Sequence, residues 1–271
     1  MYLNNITTPA TIGKRRRLYK LFGTASKAIV VALDDNLISA NNVGLKNLQE
    51  KIVNIESAKP NGILCYYGTA SAISTFDIPL IVNVTASTVQ SCHTNKVLVS
   101  SVQQAIAIDA AAVAVHVNIS SKYESDMLHN LGMISEICNT YGMPLFAIIY
   151  PRKEHTLGDE NYIGIKENNI SEYTKLVSHC VRVAFELGAD IIKTQYTGNA
   201  ESFSEVVLSA NGRPVLIAGG SLCEEEQLYS MVEGAMKAGG AGVSIGRNIF
   251  NRPNSAEIIN NLRKIVFQST D

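Results

Sequence analysis

Three residues of this 271-residue chain combine a reactive side chain with a position suited to carbonyl chemistry: Lys193, Tyr150 and Asp34. Each ends or follows a short apolar run. Lys193 closes Asp190-Ile191-Ile192-Lys193, where burial disfavours the ammonium form and frees an amine to attack a carbonyl carbon. The same position also suits a rim lysine paired with a carboxylate. Tyr150 can pass a proton to or from a hydroxyl or carbinolamine, and Asp34 can act as a base or orient an imine. Either also reads as an ordinary rim hydrogen-bonding group. The three converging from separate runs make a more specific signal than any one of them.

A second group is rich in glycine. Ala218-Gly219-Gly220-Ser221 and Ile245-Gly246-Arg247-Asn248 let backbone N–H groups approach an anion, and Arg247 adds a guanidinium. A Gly-Gly pair alone is also a plain turn; with Gly246-Arg247 it points to phosphate binding by Gly219, Gly220, Gly246 and Arg247. Asp35 adds a second carboxylate beside Asp34. His116 lies within the apolar run 112–117 and reads as an interior histidine or as a site residue. His93, His129, His155 and His179 show no i, i+4 pairing, so no metal is expected. Serine-hydrolase and dinucleotide-binding chemistry are set aside, the latter for want of a G-x-G-x-x-G fingerprint.

The elements that must hold these residues follow from the apolar pattern. Eight β-rich runs recur, at 28–33, 62–65, 79–83, 112–117, 144–149, 190–193, 214–218 and 241–245. They are continuous and not alternating, as strands covered on both faces are. Helical spacing separates several of them. The segment 172–187 sets Leu176, Val177, Cys180, Val183, Ala184 and Leu187 on one face, and Gly188 stops it. Eight strands alternating with helices predict a (β/α)8 TIM barrel, with a doubly wound open sheet as the alternative. A single domain over 1–271 is expected, with an N-terminal helical segment at 1–27. The polar stretch 152–170 reads either as a lid over the site or as a surface insertion.

Composition narrows the partners. Charged residues are 17% and hydrophobic ones 46%, enough for a large core, and the net charge is −1. No extended basic tract is present to neutralise phosphates, so no nucleic-acid partner is expected. Lys14-Arg15-Arg16-Arg17 reads as the charged face of the N-terminal helix. No apolar stretch reaches the ~18–20 residues needed to span a bilayer, and residues 1–5 do not resemble a secretory signal. The five cysteines are scattered without a C-x-x-C pair, as in a reducing compartment. A cytoplasmic protein with no membrane contact is expected.

The stretch Gly188-Ala189-Asp190-Ile191-Ile192-Lys193-Thr194-Gln195-Tyr196-Thr197-Gly198 resembles the lysine-bearing segment of the archaeal-type class I aldolases. Tyr141-Gly142-Met143-Pro144 leading into Tyr150-Pro151-Arg152, Ile217-Ala218-Gly219-Gly220, and Gly246-Arg247-Asn248-Ile249-Phe250 resemble further motifs of that superfamily, in the same order. It contains fructose-bisphosphate aldolase, 2-amino-3,7-dideoxy-D-threo-hept-6-ulosonate synthase and a thiolase acting on phosphorylated autoinducer-2 products. The similarity runs from about Gly13 onward, and Gly13-Lys14-Arg15-Arg16-Arg17-Leu18 is most similar to the heptulosonate synthase branch.

The resemblance implies a Schiff base on Lys193, general acid/base work by Tyr150, proton transfer assisted by Asp34, and a substrate phosphate held by Gly219, Gly220, Gly246 and Arg247. It implies no cofactor, a phosphorylated ketose and an aldehyde as substrates, and a homo-oligomer, with rings of ten subunits common in the family. The loops also depart from the pattern. The family's Asp-His-Gly is Asp34-Asp35-Asn36 here, its Gly-Gly-Pro-Lys is Gly219-Gly220-Ser221-Leu222, and a glycine after Tyr-Pro-Arg is Lys153. The expected activity is an aldolase or transaldolase joining a dihydroxyacetone-phosphate-like donor to an aldehyde such as aspartate semialdehyde. The alternatives are a fructose-bisphosphate aldolase, a coenzyme A-dependent thiolase and a non-catalytic sugar-phosphate-binding barrel.

Overall fold

The computed structural model describes residues 8–38, 47–73, 77–156, 158 and 160–268. Residues 1–7 of the N-terminal segment, and 157 and 159 of the stretch 152–170, lie outside the described residues. The strands are β1 (Ala28–Ala32), β2 (Gly62–Cys65), β3 (Leu80–Asn83), β4 (Thr85–Ala86), β5 (Val97–Leu98), β6 (Ala112–Ile119), β7 (Leu145–Pro151), β8 (Ile191–Thr194), β9 (Val215–Ala218) and β10 (Gly242–Ile245). Eight of them close into a barrel in the spatial order β1-β10-β9-β8-β7-β6-β3-β2, every neighbouring pair parallel. This is a (β/α)8 barrel, with its eight strands at the eight apolar runs.

The helices are α1 (Pro9–Phe22), α2 (Leu48–Ser57), α3 (Tyr67–Ala72), α4 (Val102–Ala107), α5 (Glu124–Tyr141), α6 (Ile163–Asn168), α7 (Ile170–Glu186), α8 (Ala200–Ser209), α9 (Glu225–Lys237), α10 (Arg247–Phe250) and α11 (Ser255–Phe267). Gly188 follows α7 at φ +88°, a left-handed conformation that ends the helix as its type predicts. The remaining strands, β4 and β5, form an antiparallel pair after β3 that the pattern did not foretell. Strands of two residues are too short to carry a hydrophobic period.

Side chains alternate between two cores, as the strand period of two requires. On β7, Phe146, Ile148 and Tyr150 belong to the core inside the barrel, while Leu145, Ala147 and Ile149 pack outward under the helices. On β8, Ile191 points inward and Ile192 outward, so the period turns Lys193 inward. The seam between β1 and β10 depends on Gly242, where a Cβ would lie 1.9 Å from the Ala28 carbonyl oxygen.

Helix α1 closes the floor of the barrel. Thr8 caps it by accepting a hydrogen bond from the Thr11 N–H at 3.1 Å, and Leu21 and Phe22 join the inner core. The basic tetrad divides across this helix: Arg15 and Arg16 are exposed, but Lys14 is buried. Its Nζ donates to Asp190 Oδ2 and Asn139 Oδ1, both at 2.7 Å, and Asp190 Oδ2 also accepts the Leu145 N–H at 2.9 Å. The reading of the tetrad as a solvated face therefore holds for Arg15 and Arg16 and fails for Lys14, which meets a carboxylate at the foot of β8.

Removing one partner of a buried ion pair strands the other without compensation, at about 3–5 kcal/mol. Asp190→Ala is therefore expected to destabilise the fold by about 3 kcal/mol or more, read as a lower midpoint in urea denaturation. A change below about 1 kcal/mol would mean that the pair behaves as an exposed one.

Candidate active site

The carboxyl ends of the barrel strands, where barrel enzymes place their chemistry, open on a cleft of about 300 Å³. Every expected site residue lines it: Lys193, Tyr150, Asp34, Asp35 and His116, together with Gly219, Gly220, Gly246 and Arg247. Lys193 is 7% exposed. Burial lowers its pKa from the ordinary 10.5; Asp34 and Asp35 oppose that shift and Arg247 adds to it. Tyr150 comes from the adjacent strand. Burial raises its pKa above the usual 10.0, which keeps the phenol protonated as a donor. Its hydroxyl has no hydrogen-bond partner among the described residues, and the ring stands edge-on to His116 at 5.2 Å.

A chain of hydrogen bonds fixes the opposite wall. Asn83 Nδ2 donates to Asp34 Oδ2 at 2.8 Å, and Asn83 Oδ1 accepts from the Thr85 N–H and hydroxyl. Thr85 Oγ1 in turn accepts the His116 N–H at 2.8 Å. Asn118 Nδ2 donates to the Thr94 carbonyl, which leaves Asn118 Oδ1 to accept from His116 Nε2 at 3.1 Å. Burial, reinforced by Lys96 and Arg152, holds the His116 pKa well below 6.5, so the ring is neutral. His116 is thus both an internally satisfied histidine and part of the cleft wall.

The glycine loops are tied together by Asn248, with Arg252 Nη2 donating to the Cys223 carbonyl beside it. Asn248, fully buried, donates from Nδ2 to the carbonyls of Gly219 (2.9 Å) and Ser221 (2.8 Å) and accepts the Cys223 N–H at 3.1 Å. A Cβ at Gly219 would meet Ile245 Cγ2 at 2.8 Å, so glycine is required for the close approach of the two loops. Arg247 stands exposed at the rim.

Several cleft residues escaped the sequence reading. Lys96, just before β5, is 3% exposed; attention to barrel-strand ends passes over it because it sits on the β4–β5 hairpin. Arg152, one residue past β7, donates from Nε to Asn161 Oδ1 at 2.6 Å and from Nη1 to His93 Nε2 at 2.8 Å. With Asn161, Ile163 and Lys166 it brings part of the stretch 152–170 into the cleft wall. Ser244 also lines the cleft, with a buried Oγ that has no hydrogen-bond partner among the described residues. Gly242-Val243-Ser244-Ile245-Gly246 does match the G-x-S-x-G spacing. Yet Ser244 lies within β10 and not on a strand-to-helix elbow, so the nucleophile geometry of that motif is missing. Among the described residues no three His, Cys, Asp or Glu side chains gather as metal ligands, and no helix is long and apolar enough to cross a membrane.

A parallel barrel with a buried lysine and a protonated phenol on adjacent strands at its catalytic end defines a lysine-dependent, class I aldolase. The chain belongs to the DeoC/LacD family of aldolases, whose family model matches residues 28–252. It is 34% identical over 259 residues to a 2-amino-3,7-dideoxy-D-threo-hept-6-ulosonate synthase of Archaeoglobus fulgidus, covering 94% of this chain and 91% of that protein. It is 30% identical over 248 residues to a 2-amino-4,5-dihydroxy-6-oxo-7-(phosphonooxy)heptanoate synthase of Streptomyces griseus, covering 90% and 86%. Among solved structures, a Schiff-base-forming fructose-1,6-bisphosphate aldolase superposes with a TM-score of 0.82 at 25% identity, covering 94% of this chain and 100% of that one. An archaeal fructose-1,6-bisphosphate aldolase with its catalytic Lys covalently bound to the carbinolamine intermediate gives 0.81 at 25% identity, covering 93% and 99%.

A lowered pKa means that more of the amine is neutral, and reactive, at a given pH. Reductive labelling of Lys193 by a small carbonyl compound with cyanoborohydride, followed by mass spectrometry, is expected to rise with pH to a midpoint below 10.5. Asp34→Asn removes a charge that raises this pKa and is expected to move the midpoint lower still. A wild-type midpoint at or above that of free lysine would contradict the first expectation, and an unchanged or higher midpoint in Asp34→Asn the second.

Proposed function

We propose that the protein is a Schiff-base aldolase or transaldolase that makes or breaks a C–C bond between a ketose-phosphate donor, of the dihydroxyacetone-phosphate kind, and an aldehyde acceptor such as aspartate semialdehyde. The observation that carries this reading is the position of Lys193, an amine held out of water on the inner face of β8 beside Tyr150 and Asp34.

The neutral Lys193 amine attacks the donor carbonyl and gives a carbinolamine. Tyr150 protonates the departing hydroxyl, which leaves as water, and an iminium ion remains on Lys193. The iminium withdraws electrons from the adjacent carbon. A proton from that carbon passes to a base, with Asp34, anchored by Asn83, in position to assist. The enamine carbon then attacks the acceptor aldehyde, whose oxygen takes a proton from Tyr150, itself reprotonated by the proton released from the donor carbon, and water hydrolyses the iminium to release the product. Gly219, Gly220 and Gly246 offer backbone to the donor phosphate and Arg247 its guanidinium. Ser244 Oγ, buried without a partner, is available to a substrate hydroxyl or phosphate oxygen.

The product named for the Streptomyces griseus relative fits this division. Cleaving 2-amino-4,5-dihydroxy-6-oxo-7-(phosphonooxy)heptanoate between carbons 4 and 5 yields dihydroxyacetone phosphate and aspartate semialdehyde. Fructose-bisphosphate aldolase activity is the second reading, favoured by the likeness to those solved structures, and differs in taking a phosphorylated three-carbon aldehyde.

Borohydride reduction in the presence of dihydroxyacetone phosphate is expected to leave a stable adduct on Lys193, located by peptide mass spectrometry and missing in Lys193→Ala. Tyr150→Phe is expected to slow turnover about 10²–10⁴-fold, the usual contribution of a positioned acid/base. If a panel of ketose phosphates leaves no adduct on any lysine, the mechanism fails.

A further inference from the structure

The cleft holds more positive charge than the Schiff-base lysine and the phosphate loops use. Lys96 is buried, yet its Nζ makes one hydrogen bond, to Ser87 Oγ at 2.5 Å, and no ion pair among the described residues. Burial, with a further push from Arg152, brings its pKa down to about 8 even though Asp34, Glu160 and Asp35 pull it upward. Arg152 is more fully committed: Nε bonds Asn161, Nη1 bonds His93, and Glu160 Oε1 lies 3.5 Å away. Its Nη2 has no hydrogen-bond partner among the described residues.

His93 lies against Arg152 without adding charge, because burial together with Arg152, Lys96 and Arg247 lowers its pKa to about 3. It can therefore accept from the guanidinium. Counting only the carboxylate in contact, Glu160 beside Arg152, the pair Lys96 and Arg152 keeps a net charge of about one, offset through space by Asp34 and Asp35; in a site shielded from water a cation without a contacting counter-ion is costly.

Barrel order says where this charge faces. The sequence β10-β9-β8-β7-β6-β3 places the glycine loops on one side of Lys193. It places Arg152 on the other side, after β7, and the hairpin bearing Lys96 beyond it, after β3. All of them line one cleft. A substrate with its carbonyl at Lys193 and a phosphate at Arg247 would extend its far end toward Lys96 and Arg152.

We propose that Lys96 and Arg152 form a second anion subsite, which selects the acceptor aldehyde by binding its carboxylate. The proposal rests on the aldolase reading above. A net charge near one matches a carboxylate better than a dianionic phosphate, and the unbonded Nη2 with the remaining Nζ protons supplies donors for its two oxygens.

The test compares acceptors matched in length. With dihydroxyacetone phosphate as donor, kcat/KM is measured for 4-oxobutanoate against butanal, and for glyceraldehyde 3-phosphate against glyceraldehyde. The wild-type enzyme is expected to favour 4-oxobutanoate at least tenfold. Lys96→Met is expected to cut that ratio tenfold or more, mainly through acceptor KM, and Lys96→Arg to keep most of it. A wild-type ratio near one, or one unchanged in Lys96→Met, overturns the subsite. Stronger discrimination for the phosphorylated aldehyde than for 4-oxobutanoate overturns the carboxylate assignment. Borohydride trapping of the donor on wild-type Lys193 separates the two levels: trapping with no charge preference refutes only the subsite, whereas no trapping refutes the aldolase reading beneath it.

Discussion

The cost of keeping a charge out of water organises this molecule. A lysine among Tyr150, Ile148 and the inner faces of the neighbouring strands loses hydration, and the cheapest response is to shed its proton. A lowered pKa here is thus a by-product of barrel closure. The strands need only be apolar enough to exclude water and regular enough to turn the right side chain inward. Asp34 and Asp35 temper the effect by favouring the ammonium form.

The same cost acts differently at each depth. At the floor, Lys14 is buried against Asp190 and Asn139, its hydrogen bonds are met, and the result is structural. At the mouth, the buried Lys96 and the largely covered Arg152 have fewer partners than donors. Two lysines with similar burial thus sit in opposite situations: one has its counter-ion within the fold, and the other faces a cleft large enough for a small substrate.

Much of this was legible in the residues. A parallel strand covered on both faces must be apolar throughout, so all eight barrel strands announced themselves, and their carboxyl ends then singled out Lys193 and Tyr150. The glycine loops were legible because only a residue without a Cβ fits between Ile245 and the β9 loop. Lys96 was hidden for a physical reason: it sits on a hairpin of two-residue strands, whose pairing is long-range and leaves no local period. Lys14 was misjudged because helical spacing reports which residues share a face, not whether another element covers it. The hydrogen-bonded line from Asp34 to Asn118 joins three strands and likewise exists only in three dimensions.

Asn248 gives the catalytic mouth an unusual division of labour. Its amide ties the β9 loop to the turn after β10 through backbone carbonyls and one backbone N–H, and the Arg252 guanidinium joins it at the Cys223 carbonyl. The outward side chains of that loop take no part in holding its shape. Ser221 and Leu222 stand exposed, and the hydrogen bonds that fix the loop carbonyls come from Asn248 and Arg252 and not from their side chains. Such an arrangement leaves the shape of the pocket to interior residues, so the side chains at its lip can be exchanged without unmaking it.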